Sequence, residues 1–196
     1  RQAGLSGGEV DAMQALVEEF SLPEGRTGSQ WFRGWTLAHQ GHPREGYRAI
    51  REAYEENTRL GVRVGVGEVL GYAAEALLLA GDLDAADAQV TEAMGVASAL
   101  TERLYLPNLF MTQARIARAR GDGPSATSAA RRACAEARSQ EAPWLELAAL
   151  LEVCAHPGAQ AQEWAALAAL VERLPEAAST PPVRRARELL LQRGIR

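Results

Sequence analysis

The chain contains no lysine, and all 21 of its basic side chains are arginine. Against 25 acidic residues this leaves a formal charge of -4. Direct nucleic-acid binding is therefore not expected, because phosphate affinity scales with clustered positive charge. Only two cysteines occur, Cys134 and Cys154, and they form no CxxC pair. They read as small buried hydrophobes in a reducing cytosol, so a cytoplasmic location is expected. Histidine is limited to His39, His42 and His156. A zinc site wants three or four tightly spaced His or Cys ligands, so no metal is expected. No apolar run approaches the roughly 18 residues that a membrane span requires. Isoleucine is confined to three positions, and scarce β-branched residues argue strongly against a β-sandwich or barrel. An initiator Met and a signal-peptide pattern are also missing, so the chain reads as a piece of a longer protein.

What is present is alanine, 38 copies in 196 residues, together with abundant Leu, Glu and Arg. That mixture favours helix, and the length suits one domain or one repeat array. A repeat is visible. Gly41, Gly81 and Gly121 lie 40 residues apart, each after an apolar helical stretch and before a polar turn. Seven residues upstream stand Gly34, Ala74 and Ala114; five downstream stand Gly46, Ala86 and Ala126. Ile50, Val90 and Ala130 follow nine downstream, then Ala53, Ala93 and Ala133 twelve downstream. Glycine at the end of a helix supplies the left-handed residue that reverses the chain. Small residues seven before, five after and twelve after the glycine let antiparallel helices approach closely, and the apolar residue nine after fills the gap between neighbours. Each unit is then a helix hairpin that completes its core against the next.

The spacing predicts helix pairs at 28–40 with 43–60, 66–80 with 83–100, 106–120 with 124–140, and a shortened pair at 143–155 with 160–173. A partial first repeat is expected as a helix over 8–21, built on Val10, Met13, Leu16, Val17 and Phe20. Ser21 to Gly25 should break it, and Ser179-Thr180-Pro181-Pro182 should link to a capping helix over 183–193. Asp82 or Asp84 can cap the second B helix, and Pro107 suits a first helical turn. Val62 to Gly67 alternates like a strand but is isolated, so it is assigned to loop and first turn.

At Gly34/Gly41/Gly46/Ile50/Ala53 and Ala74/Gly81/Ala86/Val90/Ala93 the sequence resembles the tetratricopeptide repeat family, with a weaker third copy. The resemblance covers residues 27–141 well and the remainder loosely. Its departures are a period of 40 instead of 34, a missing Pro after helix B, and missing Trp and Leu ahead of the small residue. HEAT-type repeats also allow this spacing, but the glycine turn and alanine pattern favour the tetratricopeptide reading. The stretch from Gly34 to Gly41 is most similar to a bacterial subgroup found C-terminal to ATPase modules in large signalling proteins, including transcription activators and class III nucleotide cyclases. The resemblance implies an all-α, right-handed superhelical solenoid of about four antiparallel hairpins plus a terminal cap, as one domain. It also implies A helices lining a concave face and B helices outside.

Motifs for chemistry are weak. Gly65-Val66-Gly67 with Gly71 approaches a dinucleotide fingerprint, but the third glycine is one position late and no strand precedes it. Glycines easing helix packing explain it better. Asp82, Asp84 and Asp87 lack the glycine and closing Glu of a calcium loop. No Ser-His-Asp, Cys-His or HExxH arrangement occurs, and Arg115/Arg118/Arg120, Arg131/Arg132 and Arg184/Arg185/Arg187 read as solvated faces. Neither a catalytic site nor a cofactor is expected.

The remaining candidate is a surface. By register the first A helix offers Trp31, Trp35 and His39 on one stripe; the second offers Glu68, Gly71, Glu75 and Leu78; the third offers Asn108, Met111, Arg115 and Arg118. Trp and Arg dominate binding hot spots, so Trp31, Trp35, His39, Glu68, Glu75, Met111, Arg115 and Arg118 form the candidate groove. The competing expectations are that Trp31 and Trp35 pack as core under the 8–21 helix, and that Glu75 pairs with Arg115. The expected role is non-catalytic recognition of a protein or peptide segment, another domain of the parent chain, or a small effector. Homodimerisation through Trp144, Leu147, Leu151, Trp164, Leu167 and Leu170 is the second reading, and an enzyme with an unrecognised site the third.

Overall fold

The computed structural model describes residues 23–174 and 180–195, with scattered positions between 8 and 20. All regular structure among these residues is α-helical. Helices with described bounds are α1 (Pro23–His39), α2 (Pro43–Arg59), α3 (Val66–Leu79), α4 (Leu83–Ala99), α5 (Leu106–Ala119), α6 (Gly123–Ser139), α7 (Pro143–Cys154), α8 (Ala161–Glu172) and α9 (Pro181–Gln192). The chain divides into two compact units, Arg1–Tyr105 and Leu106–Arg196. Within each, every helix packs on the next in sequence.

The glycine columns explain the reversals. Gly41, Gly81 and Gly121 take φ values of 97°, 78° and 79°, and the next residue's N–H returns to a carbonyl five back, as Asp82 does to Leu77 at 3.1 Å. A second series, three residues long, has no signature in residue type. Gly61, Thr101 and Glu141 end α2, α4 and α6 at φ 72°, 55° and 53°, again 40 residues apart. Val62, Glu102 and Ala142 close the same kind of bond to Asn57, Ala97 and Ala137. Both turns of the hairpin therefore repeat with one period.

Every member of the three small-residue columns is buried, as are Ile50, Val90 and Ala130. The tightest approach is in the first hairpin. A Cβ on Gly34 would stand 2.7 Å from the Gly46 carbonyl oxygen and 2.8 Å from Ile50 Cγ1. Gly67 similarly faces Ala97 of α4, which accounts for one glycine of the fingerprint-like run by packing.

Two helix starts depart from expectation. Pro23 and Pro181 were read as breakers, yet each opens a helix, because the first turn needs no N–H from proline. Gly25 accordingly lies inside α1. Asp82, not Asp84, caps α4, with Oδ1 accepting the Ala85 N–H at 3.3 Å. Of the helix expected over 8–21, Val10, Met13 and Ser21 lie outside the described residues, as does Ser179. Leu16 and Val17 are helical, Val17 buried and Leu16 exposed. No described helix is long and apolar enough to cross a membrane.

Candidate recognition face on the first and third helices

In the first unit α1 touches α3 directly, while α2 packs between them on one side. The shared core is Ala38, Ile50, Val69, Ala73 and Ala76, against which Trp31, Trp35 and Tyr72 lean while half-buried. These two tryptophans are thus neither wholly core nor wholly surface. Trp31 and Tyr72 stack with centroids 5.2 Å apart; Trp35 meets Tyr72 edge-on at 5.9 Å. Phe32 lies 3.8 Å from Trp31, and His39 lies 4.4 Å from Trp35. A continuous band of rings bridges the two helices.

Carboxylates bracket the band. Trp35 donates its indole N–H to Glu75 Oε2 at 2.8 Å, and His39 Nε2 lies 3.8 Å from Glu75 Oε1. Tyr72 donates to Glu68 Oε1 at 2.9 Å, and Tyr105 also hydrogen-bonds Glu68. Burial raises the Glu68 pKa above its ordinary value, the two hydroxyls pull it back, and the like charge of Glu102 raises it again. Tyr72 is raised too, first by burial and then by Glu68. Tyr105 is pushed up to about 12 for the same two reasons. Glu102 accepts the Gly65 N–H at 2.9 Å through Oε1. Its Oε2 is shut from solvent with no hydrogen-bond partner among the described residues. The basic residues Arg33 and Arg48 of the first hairpin line a different groove, of about 420 Å³, with Gln30, Leu37 and Glu52.

Five of the sequence-derived candidates, Trp31, Trp35, His39, Glu68 and Glu75, are brought together here. Phe32, Tyr72, Glu102 and Tyr105 belong to the same patch, although the register stripe passed over them. Tyr72 is one residue from Gly71, and a helix turns by about 100° per residue, so a stripe one position wide misses it.

The other three candidates lie in the second unit. Met111 is 7% exposed and therefore part of that unit's interior, not a contact residue. Arg118 pairs with Glu152 of α7, and Arg115 is half-buried on α5. Arg131 and Arg132, also expected as a solvated face, have partners, and so does Arg138. Arg131 grips Glu163 through Nε at 2.5 Å and Nη2 at 3.2 Å; Arg138 bonds Glu146; Arg132 lies 4.2 Å over the Phe110 ring. Arg131 and Arg138 rim a groove of about 570 Å³ floored by Leu150 and Val153. Cys134 and Cys154 are buried and free, their thiols raised by burial to about 12 and about 11. Among the six residues expected to pair two copies, Leu147, Trp164, Leu167 and Leu170 are buried in the unit's own core, whereas Trp144 is exposed. No group of three His, Cys, Asp or Glu among the described residues could hold a metal ion.

No protein-family model matches the chain, and no curated protein matches it.

Proposed function

We propose that the chain is a tetratricopeptide-like recognition module that holds a segment of a protein partner, or of its own parent chain, on the α1–α3 face. The observation that carries this reading is the band of Trp31, Tyr72 and Trp35 rings, half-exposed and fixed in place by hydrogen bonds to Glu68 and Glu75. Rigid aromatic side chains with one face available give large contact area at low entropic cost. Packing beneath the rings and bonds at their polar edges prepay the ordering, which is the source of affinity in a preorganised site. Support for the repeat architecture comes from two turn series of equal period, buried small-residue columns, and direct contact of α1 with α3 and of α5 with α7. The role fits a cytoplasmic bacterial regulator, with the partner occupying the face in one signalling state and leaving it in another.

The test is selection from a random peptide display library, with counter-selection on Tyr72→Ala and Trp35→Ala chains. The reading expects peptides enriched on the native chain to lose most of their binding on both variants. Enrichment that ignores both substitutions would place recognition elsewhere.

A further inference from the structure

We infer that the segment this face accepts carries arginine, laid along the Trp31–Tyr72 rings with its guanidinium at the Glu68 carboxylate; this rests on the α1–α3 face being the recognition surface. Three independent observations converge. First, the groups that act on Glu68 among the described residues include no cation. The hydrogen bonds to Glu68 come from neutral tyrosines, and the charge acting on it is the like one of Glu102. Glu102 adds an enclosed oxygen, Oε2, without a hydrogen-bond donor among the described residues. A cation brought to Glu68 is attracted by its charge and by the like charge of Glu102 behind it.

Second, the rings offer π faces beside those carboxylates. Tyr72 stacks on Trp31 at an interplanar angle of 22°, and its hydroxyl bonds Glu68. A side chain lying on that pair therefore ends at the acid. An electron-rich ring leading to a carboxylate is a cation's environment, with tryptophan the strongest ring partner. Third, the chain already uses this contact internally. Arg51 lies 4.8 Å over Tyr54 and is also 3.7 Å from Glu92, so one guanidinium spans a ring and a carboxylate. Arg193 covers Trp164 at 5.8 Å in the second unit. Arginine suits the corner better than lysine because a planar guanidinium stacks on a ring while presenting a fork of donors to a carboxylate. Glu75, at the far end of the band, is held by Trp35 and His39 and fixes the rings.

The experiment follows the indole N–H signals of Trp31 and Trp35 in the ¹⁵N-labelled chain. Three degenerate octapeptide pools are titrated, differing only in a fixed central Arg, Ala or Glu. The Arg pool is expected to shift both signals at concentrations about tenfold lower than the Ala pool, with the Glu pool weakest. Glu68→Gln should erase the Arg advantage, and Glu102→Gln, which leaves both tyrosine bonds to Glu68 intact, should reduce it. The unliganded indole signals report whether each variant keeps the native ring packing. If the Ala or Glu pool shifts Trp31 and Trp35 as readily as the Arg pool, the arginine inference is overturned while the recognition face stands. An Arg preference that survives both substitutions also overturns it. If no pool shifts either signal, the face itself is wrong.

Discussion

The two units share one helical plan and treat some of their half-buried carboxylates differently. In the second, arginines close on acids: Arg118 on Glu152, Arg131 on Glu163, Arg138 on Glu146. In the first, Arg51 approaches Glu92, but Glu68 takes its hydrogen bonds from two tyrosines and feels the like charge of Glu102. Burying charge without a counter-charge is costly, so a fold retains such an arrangement where something outside the fold completes it. The comparison thus separates carboxylates already paired with arginine from one, Glu68, that is bonded by neutral groups. The hairpins differ as well. The first closes on Gly34 and Gly46, where the second unit has Ala114 and Ala126 at the equivalent positions.

Four substitutions, the first with Ala114→Val as its counterpart, would break or sharpen this contrast. The largest effect is expected from Gly34→Val, which drives side-chain carbon into the Gly46 carbonyl and Ile50. A loss of about 3 kcal/mol, read by chemical denaturation, is expected from overpacking against a backbone that cannot yield. Ala114→Val would be milder if the second unit is looser at this contact. Next comes Glu163→Gln. It breaks the two-point bond with Arg131 and should cost about 1 kcal/mol at neutral pH. Arg131 holds the Glu163 pKa below its ordinary 4.5, chiefly by hydrogen bonding. Its stabilisation is therefore present above that value and is lost as pH falls through the folded value. The gap between variant and native chain should close in acid.

The third substitution, Thr101→Gly, replaces a β-branched residue held at φ 55°. A gain of about 0.5 kcal/mol is expected, relief of left-handed strain offset by the entropy of glycine. Thermal unfolding would detect it. The smallest effect is from Glu68→Gln, and its pH dependence should oppose that of Glu163→Gln. Because burial raises the Glu68 pKa above 4.5, its favourable contribution is present below that value and is lost as pH rises through the folded one. Glutamine still accepts from Tyr72 and Tyr105, so the variant should gain on the native chain as the pH moves from acid towards neutrality. Parallel pH profiles for the two variants would collapse the distinction between the units.

Much of this fold is legible in the sequence, because the residues that make it have few substitutes. Left-handed positions at Gly41, Gly81 and Gly121 select glycine, and close helix contacts select Gly or Ala at Gly34, Ala74 and Ala114. A period written in such residues is readable from one chain. The companion turns are not, since Thr101 and Glu141 adopt the same conformation against their own preference. Tertiary packing imposes it, and residue type gives no notice. Helix starts at Pro23 and Pro181 were obscured for a related reason: proline both ends and begins helices, and only the following turn decides.

The site was half-legible. Trp31 and Trp35, with Glu75 one repeat beyond Trp35, could be placed on one face by counting. Met111 fell on the counted stripe, but its burial depends on what packs above α5, which helical phase alone does not encode. Tyr72 was missed by a single step of the helix. Glu102 and Tyr105 come from the loop after α4, where no periodicity guides the eye.

Hydrogen exchange on the chain with and without a peptide taken from the display selection tests the central claim most directly. Recognition on the open face predicts added protection in α1, in α3 and at Glu102 to Tyr105, with α6 to α8 unchanged. Protection confined to residues 106–172, with α1 and α3 exchanging as before, would contradict it.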